Sequence, residues 1–366
     1  MNSVIRNNKR LRTGITTGAC AAAAAKAAAL MLLANQAVTE MTVETDQGVL
    51  LSVAVSETKI QNGIVACSVI KDAGGDPDVT NGIEIIATVT KTESNIHIDG
   101  GEGVGRVTRP GLKIPVGHAA INPVPLRMIR QEVMKICEQT SYSGGLDVLI
   151  SVPRGTEIAR KTMNSRLGII SGISILGTTG IVEPMSEKAI IDTIKTEIDM
   201  RLAENEHPLL VAPGNYGREF ARSELGLDIG KAVKCSNFIG EVLDFVHHRG
   251  LEKMTLVGHA GKLFKLAGGI MNTHSSVADC RMEILAAHCA LCGAAPPMIR
   301  EIMDGVTIDA ALKSIHDQEF RQRVMESIGR KIAYHVNFRT RGIPVVEFFV
   351  FTLEEGLLIH SHSTAC

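Results

Sequence analysis

The sequence predicts two domains: an α+β layer sandwich over residues 1–142, and an α/β domain with a mainly parallel, doubly wound sheet over residues 143–366. Three observations point there. The chain has 366 residues, about twice an ordinary domain. Short strands and helices come in irregular order up to residue 142, and apolar strands then alternate strictly with helices. Between the two patterns lies Tyr142-Ser143-Gly144-Gly145, which reads as a linker.

In the first part, Thr16-Thr17-Gly18 precedes an alanine-rich helix with Thr17 as its expected N-cap. Residues 38–45 and 49–55 flank Asp46-Gln47-Gly48 and read as a hairpin, with Val49, Leu51, Val53 and Val55 alternating to bury one face. Residues 64–69 and 83–89 continue the strands. Leu126, Ile129, Val133 and Ile136 have helical spacing after Pro123 and Pro125. In the second part, strands are expected at 146–152, 168–175, 209–212, 232–235 and 254–257. The helices between them include a stripe of Ile190, Ile194, Ile198 and Leu202 capped by Ser186. The tail is helical until a late strand at 345–351, placed at an edge.

Composition narrows the function. Apolar residues make up 45% and charged residues 21%, which excludes a disordered chain. Thirty-eight Lys and Arg against 39 Asp and Glu give no basic excess for nucleic acid, and with no Trp and three Tyr there is little to stack bases on. The apolar stretch 19–33 is mostly alanine and carries Lys26, too weak for a bilayer span. Eight scattered cysteines in so long a chain read as reduced thiols, so the expected location is cytoplasmic, with neither membrane nor nucleic acid as partner.

Ligands of an open parallel sheet bind beyond the carboxyl ends of its strands. Five loops are expected on that edge: 153–156, 176–180, 213–216, 235–237 and 258–262. All are rich in Gly, Ser, Thr or Asn, whose small side chains leave backbone N–H groups and helix amino ends open to a ligand. A turn-forming role is the plainer reading of any one of them; five together favour a ligand site. The run Thr13 to Gly18 is either an anion site or a helix cap, with the cap favoured. Residues 71–78 form a sharp acidic loop without calcium-site spacing. Gly101-Glu102-Gly103-Val104-Gly105 is followed by Arg106 to Pro110, which is not helical, so it lacks the dipole of a dinucleotide loop. Cys280, His288, Cys289 and Cys292 lack a second ligand pair, and His360, His362 and Cys366 sit where a chain end frays. No metal site is expected.

Residues 12–18 with their alanine helix, residues 71–80, residues 172–182, Ser236-Asn237-Phe238-Ile239-Gly240 and residues 258–275 together resemble the CbiD family. The likeness runs in order over about 11–280; Gly75 stands where that pattern favours an acid and Ala260 where it favours a branched residue. The resemblance implies an S-adenosylmethionine-dependent methyltransferase of anaerobic cobalamin synthesis. It would methylate carbon 1 of cobalt-precorrin-5B to give cobalt-precorrin-6A, with cobalt present only as part of the substrate. It also implies a Rossmann-like C-terminal domain, and neighbouring cobalamin-pathway enzymes as candidate partners.

On that reading the donor rests on Gly177, Thr178, Thr179, Gly180, Gly214 and Asn215. Substrate carboxylates meet Arg106, Arg109, Arg154, Lys262 and Lys265, with Thr16 and Thr17 also facing substrate. His259, His274 and Asp72 are the candidates for moving a proton, with Glu183 behind them, and His259 stands first because it should lie just past a strand end. The competing readings are a nucleotide-binding phosphoryl-transfer enzyme and a non-catalytic corrinoid carrier. Stabilisation by nucleotide would mark the first, and pigment binding without donor consumption the second.

Overall fold

The computed structural model describes residues 3–6 and 9–364. The chain divides into two compact units, residues 1–187 and 188–366. The expected boundary at 142 is therefore displaced by some 45 residues.

The first unit begins with a hairpin, β1 (Ser3–Arg6) and β2 (Lys9–Arg12), then β3 (Gly14–Ile15) and α1 (Thr17–Ala34). A second hairpin follows, β4 (Glu40–Glu44) with β5 (Leu50–Ala54), in the expected place. The main sheet is built from β6 (Glu57–Gln61), β7 (Ile64–Ile70), β8 (Glu84–Thr92), β9 (Ile96–Gly100) and, after β10 (Arg106–Val107) and α2 (Pro123–Gln139), β11 (Gly145–Ser151). Its order is β6-β7-β8-β11-β9, antiparallel except for the β11/β9 pair. The short α3 (Gly155–Ala159), β12 (Ile169–Ile170) and β13 (Ile181–Val182) close the unit; β12 pairs with β10 and β13 with β3.

The strand at 146–152 was assigned to the parallel sheet and is not there. It lies between β8 and β9 because its residues alternate: Leu146, Val148 and Ile150 are buried, while Asp147 and Leu149 face out. Such one-sided burial belongs to an antiparallel layer. The expected strand at 168–175 is reduced to β12 plus single bridges from Ile173 to Val104 and Ile175 to Ile121.

The core of this unit is α1 laid on β7 and β8 beside α2. Residues 19–25 of α1 are fully buried. Small methyls let neighbouring backbones approach from every side, so a helix that is long and apolar enough for a membrane is here a core helix. Its Lys26 is neutralised by an ion pair with the buried Glu132 of α2. Lys135 also bonds Glu132, at 2.7 Å. Burial opposes the Glu132 charge, but the two lysines and the Glu44 N–H outweigh it and hold its pKa below the usual range.

The second unit starts with α4 (Glu187–Ala203) and continues β14 (Leu209–Ala212), α5 (Asn215–Ser223), β15 (Val233–Lys234), α6 (Ile239–His248), β16 (Lys253–His259) and α7 (Ala260–Ala267). Four helices follow: α8 (Arg281–Leu291), α9 (Pro296–Met303), α10 (Ile308–Lys313) and α11 (Gln318–Thr340). β17 (Val345–Thr352) and β18 (Gly356–His362) end it. The sheet order is β15-β14-β16-β17-β18, with the first four strands parallel and β18 antiparallel. The strand expected at the edge, 345–351, is thus one place inside it.

Alternate residues of these strands face different cores. Leu209, Val211, Met254, Leu256, Val346, Phe348 and Val350 pack under the larger helical layer. Leu210, Val257, Phe349 and Phe351 pack on the other side, against α5. Both faces are covered, which is why these strands read as nearly continuous apolar runs.

Candidate active site

In the second unit the chain order β14, β15, β16 becomes the spatial order β15-β14-β16. The connections leaving β14 and β16 diverge, and beyond the carboxyl ends of such a pair is where a doubly wound sheet receives its ligand. Three of the five predicted loops meet there: 213–216 after β14, 235–237 after β15 and 258–262 after β16. The other two belong to the first unit, so the five do not share one sheet edge.

Three side chains organise the edge. Lys262, in the first turn of α7, donates to the Pro213 carbonyl at 3.1 Å and to the Ser236 carbonyl at 3.4 Å, tying together the loops of β14, β15 and β16. Burial lowers its pKa, with Lys234 and Lys265 adding to the effect against Cys235. His259 is the N-cap of α7: its Nδ1 accepts the Gly261 N–H at 3.1 Å. A neutral ring accepting at Nδ1 carries its proton on Nε2, and Nε2 lies 3.6 Å from Asp309 Oδ2 on α10. Burial pushes the His259 pKa down while Asp309 opposes it, and the ring packs edge-on against Phe351. The other carboxylate oxygen of Asp309 is buried without a hydrogen-bond partner. Nothing in the sequence links Asp309 to His259 across fifty residues; only the return of α10 to the sheet does.

Gly214 and Asn215 open α5. That helix has no side-chain cap, and a Cβ on Gly214 would meet nothing within 4 Å. The amino end of α5 therefore offers uncapped N–H groups beside open space, with Tyr216 exposed next to it. In the sequence Tyr216 falls within the expected ligand-edge loop 213–216, with nothing to single it out.

Lys265 is not a surface clamp. It is 2% exposed, and its ammonium donates to the carbonyls of Thr273 (3.1 Å) and Ala278 (2.7 Å). It thereby anchors the loop that carries His274. That histidine is exposed, and its Nδ1 accepts the Ser276 N–H at 3.1 Å. Thr273 joins the same loop to the carboxyl end of β15 through Asn237.

In the first unit, residues 176–180 sit on the amino end of α1. Thr16, rather than Thr17, is the N-cap, accepting the Ala19 N–H at 3.2 Å. The Thr17 hydroxyl donates to the Leu176 carbonyl at 3.1 Å and accepts the Leu176 N–H at 2.8 Å. Gly18 N–H goes to the same carbonyl, and a Cβ on Gly177 would come within 2.4 Å of the Thr16 hydroxyl. Thr16 and Thr17 are buried, so their hydroxyls serve the fold and not a substrate. Thr179 bonds Ile181 within its own turn, Gly180 is buried, and Thr178 is exposed.

Asp72 is held by both guanidinium nitrogens of Arg12 and accepts the Gly74 N–H at 2.8 Å. The hydrogen bonds from Arg12 hold its pKa below the usual carboxylate range, which makes it a poor base. Arg106 is spent on Asp99, at 3.0 and 2.8 Å, and on the Gly100 carbonyl. Arg154 pairs with Glu157 at the surface, and Arg109 is exposed. Glu183 is exposed beyond β13. The glycines of 101–105 and 153–156 are needed for backbone packing: a Cβ on Gly103 would lie 1.9 Å from the Val152 carbonyl oxygen, and one on Gly155 would lie 2.1 Å from that of Gly103.

Comparison with known proteins adds the family. The model described as CbiD matches residues 4–184, and that described as CbiD, C-terminal domain, matches residues 272–362. The likeness thus extends through the tail that the sequence motifs left uncovered. A protein of Ruminiclostridium cellulolyticum named cobalt-precorrin-5B C(1)-methyltransferase is 50% identical over 349 residues, 95% of this chain and 91% of its own. One of the same name from Alkaliphilus metalliredigens is 45% identical over 98% of this chain and 94% of its own. A solved structure of a cobalamin biosynthesis protein from Archaeoglobus fulgidus is 31% identical, spans 76% of this chain and 87% of that one, and has a TM-score of 0.42.

Proposed function

The chain belongs to the CbiD family, and on that basis we propose that it methylates carbon 1 of cobalt-precorrin-5B with S-adenosylmethionine, giving cobalt-precorrin-6A in cobalamin synthesis. The observation that carries this is identity of 50% along almost the whole chain to a protein of that name. We read the second unit as Rossmann-like in the broad sense of a doubly wound sheet with a switch point between β14 and β16, and the protein as cytoplasmic.

The donor supplies a sulfonium methyl that needs no nucleophile from the protein. The electron pair of carbon 1 forms the new C–C bond, and the C–S pair returns to sulfur. What remains for the chain is to hold both reactants in line and keep water out. Gly214 and Asn215 fit the donor, because the uncapped start of α5 can take its carboxylate or ribose hydroxyls. Lys262 has one N–H beyond its two carbonyl bonds, enough to meet a substrate carboxylate. His259 serves as a positioning residue and not as a base: its Nδ1 is taken by the Gly261 N–H, its Nε2–H faces Asp309, and taking a proton at Nδ1 would cost α7 its cap. Exposed Thr178, Arg109 and Arg154 remain candidates for the substrate periphery. Hand-over from neighbouring pathway enzymes is part of the same reading.

S-adenosylhomocysteine tests the donor site. It is expected to raise the melting temperature of the chain, and Gly214→Ala, whose Cβ meets nothing within 4 Å in the fold, is expected to weaken that binding at least tenfold. Equal binding by the variant removes the start of α5 from the donor site.

A further inference from the structure

Glu347 on β17 and His360 and His362 on β18 lie on one face of the sheet. The antiparallel register puts Glu347 opposite His362 and Phe349 opposite His360. The two histidines are two residues apart on one strand, so both project to the side of Glu347. One ligand atom from each of the three lies within 4.8 Å of the others. From these residues we propose a binding site for a single first-row divalent transition metal, of the zinc, cobalt, nickel or copper type, separate from the methyl-transfer site.

The geometry is close to what such an ion needs. His360 Nε2 and Glu347 Oε1 are 2.9 Å apart. Ligand atoms bonded to one ion at roughly 2.0–2.2 Å stand about 3 Å from each other, so this pair already has ligand spacing. A rotation of the His362 ring brings in the third.

The surroundings fix the ligands. The His360 ring stacks on Phe349 with centroids 4.2 Å apart and planes 12° apart. Thr255 Oγ1 donates to the other Glu347 oxygen at 3.4 Å, leaving Oε1 to point at the histidines. Two imidazoles and one carboxylate are a donor set for transition metals, not for magnesium or calcium. The two histidines are exposed and Glu347 is half-buried, so an ion can enter from the solvent side and keep water in its remaining positions. The histidines are held in β18, not frayed; Cys366 lies outside the described residues.

The site is remote from the candidate active site. Glu347 lies four residues before Phe351 on β17, and Phe351 is the residue that the His259 ring contacts. At strand spacing that is roughly 13 Å. An ion here would join the edge strand β18 to β17 and resist its release from the sheet. This inference does not rest on the proposed methyl transfer, and its test contains no tetrapyrrole.

The experiment uses full-length protein without a histidine tag. Cobalt(II) chloride is titrated in and followed by its visible absorption, with zinc(II) as competitor and melting temperature as a second readout. One equivalent is expected to bind and to raise the melting temperature. His362→Ala, at an exposed position, and Glu347→Gln, which keeps the shape of the side chain, are expected to lower affinity at least tenfold and abolish the thermal shift. His247→Ala and His248→Ala are expected to change neither. No stoichiometric binding, or binding that both site variants leave intact, overturns the proposal and leaves Glu347 and His360 as a cross-strand ion pair.

Discussion

His259 carries two jobs, and substitution can separate them. Asparagine is a good N-cap and supplies an acceptor for Gly261 N–H, but it cannot reach Asp309 as the ring does. His259→Asn is therefore expected to keep stability within about 0.5 kcal/mol and lose at least tenfold in kcat, whereas His259→Ala also loses about 1 kcal/mol of stability. Chemical denaturation and steady-state turnover check the pair. Wild-type turnover by His259→Asn would end the positioning role. The pH dependence has a definite sign. Burial lowers the pKa of His259 in the folded chain, so below the free imidazole value of about 6.5 the unfolded chain binds a proton that the folded one refuses. Stability from this group is complete above that pH and declines as pH falls through it. Activity is expected to be level above it and to fall as the ring takes up a proton, because protonated Nδ1 no longer caps α7.

Among the elements, α7 does most to shape the candidate site. Its first turn ties three loops through Lys262, and its Lys265 holds the loop 273–278 from beneath. Burial lowers the Lys265 pKa, with Arg281 adding to the effect and Asp279 opposing it. Lys265→Met fills the space without those bonds. It is expected to cost about 2 kcal/mol, the worth of hydrogen bonds to a charged group, and to speed amide exchange in residues 273–278. Unchanged exchange there would show that the loop holds itself. Elements also mark where sequence stops being legible. The strands at 209–212 and 254–257 were plain because both faces are buried, and α1 was plain from its alanines. The strand at 146–152 was seen, but its sheet was not: strand pattern does not name a partner, and the one clue was Asp147 at an outward position. β18 was missed because His360 and His362 break its apolar run. Lys265 looked like a clamp because sequence does not show that carbonyls surround it.

At the scale of the whole molecule, the two units answer to different sequence logic. The first is a one-sided sheet closed by an alanine helix, where glycines and threonines mostly serve packing. The second is a two-sided, mainly parallel sheet whose small-residue loops gather at the β14/β16 divergence. Loop composition alone could not separate the two uses, since Gly155 and Gly214 look alike in sequence. One is pressed against backbone and the other faces open space. The family adds the chemistry, methyl transfer to carbon 1 of cobalt-precorrin-5B. The most direct test is to incubate the purified chain with S-adenosylmethionine and cobalt-precorrin-5B and determine the mass and substitution of the pigment. The account predicts one added methyl, on carbon 1, with one S-adenosylhomocysteine formed for each. Pigment recovered unmethylated, or methylated at another carbon, would contradict it.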